Sequence, residues 1–464
     1  MANNRILKFL TRTCWFLVLA AAVPAPAMAN SDWMNEPLVK PGSAGLGMTI
    51  GTERSPYKGA GYRYHAEPLY LYEGERFFLH PARAGIKVAD DGVHRFDLFL
   101  DFRMEGYPQK SIPASLAGMQ LRESTTDIGV SYAYRAPWGN LRAEYLHDVL
   151  DVTKGSEARF GYSYNWSSGR WHLRPSVTVA LRSASLNNYY YGVLPGEATA
   201  TRPAYMPGSG VDITLGAFGY YDLSGGWKLL GGLGLNRLDG GVRGSPIVHD
   251  GMRPMAFLGA AYDFGSPQKS SEGGDPLIVK VLYGKSSDCL LNQIITFRCT
   301  STSTTDNTRI AGVELGRPFV TRPGGWPVDI VGYIGLLGHD ENGRQPDSLE
   351  FNAYMKAYYY GFPWREKVRT RVGFGAGISY AQRVPFIEAR EQAQRGRGTS
   401  RILNYLNPTI DFSVGDLIGS RAMKETYLGL GTSHRSGMFG SSQVLGNVDG
   451  GSNFIYTYLE WLMK

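Results

Sequence analysis

Arg95-Phe96-Asp97-Leu98-Phe99-Leu100-Asp101-Phe102-Arg103-Met104-Glu105 is the stretch that decides the fold. Its even positions are apolar and its odd positions are charged, with Phe99 as the one break. Successive side chains of a β-strand point to opposite faces, so this stretch predicts a strand with one apolar and one charged face. Such a strand fits a wall that has lipid or a core on one side and water or a packed polar interior on the other.

The same alternation recurs along the chain. An apolar face over 128–134 is followed by the turn 137–140 and by a second alternating run over 141–147. A third run ends at Trp166, before the turn 167–170. Strands of about ten residues joined by tight turns predict an up-and-down antiparallel meander.

Composition narrows the class of protein. The 464 residues include 59 Gly and 29 Tyr, and 43% are hydrophobic, which excludes a disordered chain. Beyond the first thirty residues no apolar run reaches about 18 residues, which excludes a helical membrane protein. A β-barrel stays open, because alternating residues cancel in any hydropathy window. A soluble periplasmic sandwich is the alternative, but the long strands with aromatic ends favour a membrane barrel.

The N-terminus predicts export. Arg5, Lys8 and Arg12 precede a short apolar core at 14–23, and Ala27-Met28-Ala29 resembles a cleavage site. This order is that of a secretory signal peptide over 1–29, which is removed from the mature chain.

The two cysteines outside this segment are Cys289 and Cys299, in a polar stretch. An exported chain meets an oxidising compartment, so we expect a loop disulfide, with two free thiols as the alternative. The net charge is only +7 and no long basic run occurs, so a nucleic-acid partner is not expected. No metal ion or cofactor is predicted.

A polar linker divides the chain. The run 261–264 has the aromatic finish of a closing strand, residues 266–275 are rich in Ser, Gly, Lys and Glu, and a new strand begins at Leu277. We therefore predict an all-β fold of two antiparallel transmembrane β-barrels in tandem, over 30–265 and 276–464, with about ten to twelve and about eight strands. A single porin-like channel fits less well, because the linker separates two self-contained halves.

Six segments of the first unit, from 55–59 (SPYKG) to 245–248 (SPIV), resemble the MipA/OmpV family of outer-membrane proteins. The resemblance implies the outer membrane of a Gram-negative bacterium and the role of an envelope scaffold or pore. As some members are described as linking a murein hydrolase to a murein synthase, murein-synthesis or murein-hydrolase proteins are the implied partners. The matching segments are 55–59 (SPYKG), 188–193 (NYYYGV), 202–205 (RPAY), 207–210 (PGSG), 237–238 (RL) and 245–248 (SPIV).

The first unit shows no catalytic constellation in its sequence. The run 189–191 (YYY) predicts a packed or interfacial aromatic cluster. The histidines are dispersed and without ligand spacing, so we interpret them as wall or loop residues rather than metal ligands. They are His65, His80, His94, His147, His172 and His249.

The second unit contains a candidate catalytic pair, His434 and Ser436, which lie two residues apart. Residues i and i+2 of a strand share a face, so the imidazole and the hydroxyl stand side by side. This geometry suits a histidine that takes the serine proton during attack on an ester. The alternative interpretation is a polar pair in the barrel wall.

Residues 277–464, above all 429–461, resemble lipid A deacylases of the PagL type. The resemblance implies lipopolysaccharide and outer-membrane lipid as partners, Ser436 as nucleophile and His434 as general base. The family's Glu is replaced here by the segment 449–453 (DGGSN), where Asn453 stands near the expected place. Asp449 and Glu388 are the alternative acids.

Two hypotheses therefore remain open for the function. One is a non-enzymatic scaffold or pore in which the second barrel is degenerate, since Gly437 replaces the family's Asn after the serine. The other is an active lipid A ester hydrolase positioned by the first barrel. The pair Arg395 and Arg397 is interpreted either as a solvated loop or as a contact for lipid A phosphates.

Overall fold

The computed structural model describes residues 43–80, 82–107, 112–264, 276–302, 305–322, 325–395, 399–436 and 451–463. The predicted signal peptide 1–29 and linker 266–275 lie outside the described residues, as do Arg397, Gly437 and Asp449. Among the described residues, no helix is long and apolar enough to cross a membrane.

The first barrel has a wall of twelve antiparallel strands. It closes because β1 pairs with both β2 and β13, while β10 pairs with β11. Strand β9 is a short extension that pairs with β10 beyond the end of β8. The strands are β1 Ser43–Arg54, β2 Tyr62–Glu73, β3 Phe77–His80, β4 Arg83–Asp90, β5 His94–Arg103, β6 Thr125–Ala136, β7 Gly139–Asp148, β8 Ser156–Ser163, β9 Trp166–Ser168, β10 Trp171–Arg182, β11 Gly210–Asp222, β12 Trp227–Arg237 and β13 Met252–Asp263.

The second barrel is a closed ring of eight antiparallel strands in which β14 pairs with β21. The predicted all-β fold of two antiparallel barrels, with about ten to twelve and about eight strands, is confirmed. The strands are β14 Leu277–Ser286, β15 Arg309–Thr321, β16 Val328–Asp340, β17 Ser348–Tyr359, β18 Thr370–Ala381, β19 Ile402–Ser413, β20 Thr426–Ser436 and β21 Asn453–Met463.

Strand β5 shows the two faces that its alternation predicts. Phe96, Leu98 and Leu100 are exposed on the outer wall, whereas the charged residues between them are buried in the lumen. The odd member, Phe99, is only 2% exposed because the Arg83 guanidinium lies 4.0 Å from its ring centroid inside the barrel. An aromatic ring on the charged face is thus accommodated by a cation–π contact.

A network of ion pairs fills the lumen of the first barrel beside β5. Arg103 reaches Asp127 on β6 and Glu157 on β8, each at 2.5 Å, and all three side chains are almost fully buried. Arg182 of β10 continues the network to Glu105 at 2.7 Å. Buried charges persist only when they are paired and hydrogen-bonded, so strands distant in sequence are tied together across the lumen.

The chain is not strands throughout. Tyr189, Tyr190 and Tyr191 end helix α1, which begins after its cap Ser183, whose hydroxyl accepts from the Leu186 N–H. Their aromatic cluster is confirmed as packed, because Tyr190 and Tyr191 are buried in the loops that cover one end of the barrel. The helices, all in connections, are α1 Ala184–Tyr191, α2 Gly240–Arg243, α3 Leu291–Ile295, α4 Phe386–Gln394 and α5 Val414–Ile418.

The middle of the second barrel's lumen is packed as a core, and a cavity of about 450 Å³ lies towards one end, beside Tyr358 and Arg371. Lys280 is fully buried, and its Nζ lies 2.9 Å from Glu314 and 3.6 Å from Glu460. The same ammonium lies over the Tyr333 ring at 4.1 Å. Charge and aromatic volume together fill the small interior that eight strands enclose.

The outer walls of the two barrels touch. Leu46, Tyr72 and Leu79 of the first barrel pack on a cluster that contains Ile330 and Met355 of the second. Ile330 and Met355 project outward from their strands, yet they are 2% and 4% exposed. The apolar outer faces therefore serve as a lateral contact as well as a lipid-facing surface.

We expect Arg103→Ala to lower the free energy of unfolding by about 3 kcal/mol, because it removes the cation that pairs with the buried Asp127 carboxylate. Glu157 loses one of its partners but keeps Arg159 at 2.6 Å. Urea unfolding in detergent micelles measures the loss. Arg135→Ala is the matched control, since Arg135 pairs with Asp90 at 2.9 Å with both side chains partly exposed. That control should cost about 0–1 kcal/mol. Equal losses in the two variants would contradict an essential lumen network.

Candidate functional site in the second barrel

The candidate site lies on the outer wall, at the end of β20 that carries the longer loops. Arg435 is 1% exposed and points into the lumen. His434 and Ser436 flank it and therefore share the opposite, outward face. Leu428 and Leu430 precede them on that face and are exposed. The predicted pair thus stands at the edge of an apolar band rather than inside the barrel.

Asn453 is the residue that the structure brings to the imidazole. It opens β21 and lies directly opposite His434 in the ladder. Its Oδ1 is 2.7 Å from His434 Nδ1. The backbone of Ser452, the residue before it, also hydrogen-bonds the imidazole.

The orientation of the Asn453 amide is set by a loop. Its Nδ2 donates to the Cys289 carbonyl at 3.0 Å, so Oδ1 is the atom turned toward the imidazole. Oδ1 can only accept, and His434 Nδ1 must therefore carry the proton. A proton on Nδ1 leaves Nε2 as the basic nitrogen, which is the tautomer that a general base requires.

A disulfide closes the loop that holds Asn453. Cys289 and Cys299 are joined, with their Cα atoms 5.7 Å apart, so the expected loop disulfide is present. The Ser287 N–H also donates to the Asn453 carbonyl at 2.9 Å. These backbone contacts were not predicted, because nothing in the sequence around Cys289 signals which side chain its carbonyl meets.

Glu388, the alternative acid, is placed elsewhere. It lies buried in α4, and Arg435 Nε donates to its carboxylate at 3.0 Å. Burial raises the pKa of the Glu388 carboxyl, while the Arg435 guanidinium opposes the shift. Arg435 also donates to Ser379 Oγ at 2.6 Å. Glu388 therefore serves the lumen side of β20 and anchors the strand on which His434 stands.

An apolar segment of the disulfide loop lies beside the site. Helix α3 packs next to β20. Leu290, Ile295 and Phe297 at its two ends are exposed, and Phe297 is 74% exposed. These side chains form an exposed apolar surface beside β20.

The cations of the neighbouring loop are partly engaged. Arg395 ends α4 and pairs with Glu391 at 3.4 Å. Arg390 donates to Asp288 at 2.8 Å and so ties this loop to the disulfide loop. The side chain of Arg401 is exposed at the start of β19.

Two closed antiparallel barrels with charged interiors and apolar outer walls define the class of outer-membrane β-barrel proteins. Residues 46–264 match the family model of the MltA-interacting protein MipA. The first barrel therefore matches the MipA/OmpV family, in agreement with the predicted resemblance. The predicted outer-membrane location is confirmed by the barrel fold and by homologues that are named outer membrane proteins.

Known outer-membrane proteins match about a third to a half of the chain. The MltA-interacting protein of Escherichia coli is 26% identical over 225 residues, which span 48% of this chain and 91% of the relative. Omp26La of Vibrio anguillarum is 31% identical over 32% of this chain and 58% of that protein. OmpV of Vibrio cholerae is 30% identical over the same shares. The family match ends at residue 264, before the second barrel.

Solved outer-membrane structures are also similar at a distance. The copper transporter OprC aligns with 91% of this chain and 81% of its own at 9% identity and a TM-score of 0.23. A similarity this low carries no argument about either barrel.

Proposed function

We propose that the second barrel hydrolyses an acyl ester of lipid A, with Ser436 as nucleophile, His434 as general base and Asn453 as the residue that orients the imidazole. The observation that carries the proposal is the 2.7 Å contact between Asn453 Oδ1 and His434 Nδ1. A polar wall pair would not need a third residue whose amide is itself held in one orientation.

The reaction follows from these positions. Ser436 Oγ attacks the ester carbonyl as His434 Nε2 takes its proton, and the imidazolium then returns that proton to the departing alcohol. A water molecule, activated by the same nitrogen, hydrolyses the acyl-enzyme. The proton on Nδ1 is shared with Asn453 throughout, so the imidazole keeps its tautomer.

An amide in the orienting position has a physical consequence. A carboxylate would both orient the imidazole and offset the charge of the imidazolium, whereas Asn453 does only the first. We therefore infer a slow enzyme in which the imidazole is oriented but the charge of the imidazolium is only partly stabilised.

The surroundings support a lipid ester as substrate. The site faces outward at the loop end, which is extracellular in outer-membrane barrels. Acyl chains in that leaflet would run along the exposed side chains of Leu428 and Leu430. The loop cations Arg395 and Arg401 lie at the level where anionic headgroups stand.

A second role is proposed for the first barrel. We infer that it binds a murein-acting enzyme, because the relative that matches it over 91% of its length is named for interaction with MltA. Biolayer interferometry with the purified full chain in micelles and the MltA protein of the same organism tests this role. We expect saturable binding, and Ser436→Ala in the second barrel should leave that binding unchanged. The absence of binding would contradict the proposed role of the first barrel.

Ser436→Ala is expected to abolish lipid A deacylation. Mass spectrometry of lipid A from cells that express wild-type protein should show loss of one acyl chain, whereas Ser436→Ala and His434→Ala should leave lipid A intact. Ser433→Ala is the matched control, since Ser433 is buried on the opposite face of the same strand. Intact lipid A in cells that express the wild-type protein would overturn the proposal.

Asn453→Asp is expected to raise kcat by on the order of tenfold, because a carboxylate at 2.7 Å would offset the imidazolium charge. Asn453→Leu should lower kcat and leave KM unchanged, since only the orientation of the base is lost. Hydrolysis of a p-nitrophenyl acyl ester in micelles gives both constants. An unchanged kcat in both Asn453 variants would show that Asn453 does not act through His434.

A further inference from the structure

A second serine–histidine–carboxylate arrangement lies in the first barrel. Ser167 on β9 stands directly opposite His172 on β10, across the turn formed by Gly169 and Arg170. Ser167 Oγ is 2.9 Å from His172 Nδ1. On the other side of the ring, His172 Nε2 is 2.9 Å from Asp222 Oδ2, at the end of β11.

The imidazole is held by more than these two contacts. His172 stacks on the Tyr220 ring with centroids 4.3 Å apart and planes 13° from parallel. Lys228 donates to Asp222 Oδ1 at 3.1 Å, which leaves Oδ2 to accept from Nε2–H. With its proton on Nε2, the ring presents Nδ1 as the acceptor for the Ser167 hydroxyl.

Other hydrogen-bonded histidines of this barrel have different partners. His94 bonds the Tyr132 hydroxyl, and His80 bonds Glu73 deep in the wall. Among the described residues of this barrel, His172 is the histidine that hydrogen-bonds a hydroxyl through one ring nitrogen and a carboxylate through the other. A polar turn needs neither a fixed tautomer nor a fixed ring orientation, whereas a histidine that acts as general base needs both.

Ser167 and His172 line a cavity of about 620 Å³ in the same end of the barrel. Ligand pockets commonly have volumes of about 300–1,000 Å³. The ionisable lining besides His172 carries four cations and two carboxylates, so the cavity favours an anionic guest. These residues are Lys87, Arg95, Arg135, Arg174, Glu73 and Asp90.

This end of the barrel faces the periplasm. The connections here are short, such as 74–76 and 137–138, whereas 104–124 and 183–209 at the opposite end are long. Outer-membrane barrels carry their short turns on the periplasmic side. Ser167 and His172 therefore face the periplasm, whereas Ser436 lies at the opposite, extracellular side of the membrane.

We propose that Ser167, His172 and Asp222 form a periplasm-facing hydrolytic site for a carboxylic ester that carries negative charge. Ser167 Oγ attacks the ester carbonyl carbon and His172 Nδ1 takes the hydroxyl proton. The C–O bond to the alcohol breaks as the imidazolium protonates it. Water then cleaves the acyl-serine, which yields the acid and restores the serine. Asp222 acts through His172 as a positioning residue.

The first test is covalent labelling of the full chain in detergent micelles, in a Ser436→Ala background that removes the other proposed nucleophile. A fluorophosphonate probe should label the peptide that contains Ser167. His172→Gln should slow that labelling by about 100-fold or more, because the base is lost. The matched control is Ser168→Ala, which removes the adjacent exposed serine of the same hairpin. This change should leave the rate of labelling at Ser167 unchanged.

The second test identifies substrate charge and the role of Asp222. Mono-p-nitrophenyl succinate should be hydrolysed with a kcat/KM about tenfold above that of neutral p-nitrophenyl acetate, because the cavity lining is cationic. Asp222→Asn should lower kcat at constant KM, and Asp222→Glu should recover part of the loss. If Asp222 had only a structural role, Asp222→Asn would not lower kcat at constant KM, and Asp222→Glu would not restore it.

Circular dichroism and heat-modifiable migration of each variant establish that the barrel is intact. Labelling of Ser167 at the same rate with and without His172 would overturn the proposal, as would the absence of labelling at Ser167 in an intact barrel. Either result leaves the Ser436 proposal untouched, because that site is measured by lipid A acylation.

Discussion

Closure of the backbone hydrogen-bond ladder is the constraint on which the rest of the structure depends. Lipid offers no partner to an N–H or C=O group, so a sheet edge exposed to the bilayer leaves unsatisfied polar groups. The pairing of β1 with β13 removes that edge in the first barrel, and the pairing of β14 with β21 removes it in the second. Two rings, each closed by its own first and last strands, account for the tandem architecture.

Closure also determines where charge can go. In a closed wall with period-two alternation, one side chain of each pair faces lipid and the other faces the lumen. The charged face is then forced inward and must neutralise itself, as Arg103 does with Asp127 and Glu157. In the narrower second barrel, Lys280 pairs with Glu314 beneath the Tyr333 ring, so charge and aromatic volume fill the middle of the interior.

Both proposed reactive sites lie at the rims of the barrels, where strands meet loops and water is accessible. His434 stands at the loop rim on the lipid side, held through Asn453 by the carbonyl of Cys289. His172 stands at the turn rim of the other barrel on the lumen side, held by Asp222 and Tyr220. In the two proposed sites, histidine would act on a membrane-bound ester in one barrel and on a soluble anionic ester in the other.

The sequence by itself determined that the chain forms the strands of two barrel walls. Alternation in 95–105, tight turns and the polar stretch 266–275 predicted two barrels, since period two and turn chemistry are local properties. The pairing of His434 with Ser436 was visible because both lie on one strand. Helix α1 was not, because its tyrosines carry no helical period and its cap, Ser183, acts only in three dimensions.

Only the tertiary structure decided which distant residues meet. It separated Glu388 from the imidazole by assigning it to Arg435 inside the barrel, and it brought Asn453 to His434 across the β20–β21 ladder. It also brought Asp222, fifty residues away, to His172, which the sequence presented as one dispersed histidine among six. Ladder register and barrel closure set these meetings, and both arise from hydrogen bonds between strands that no local pattern records.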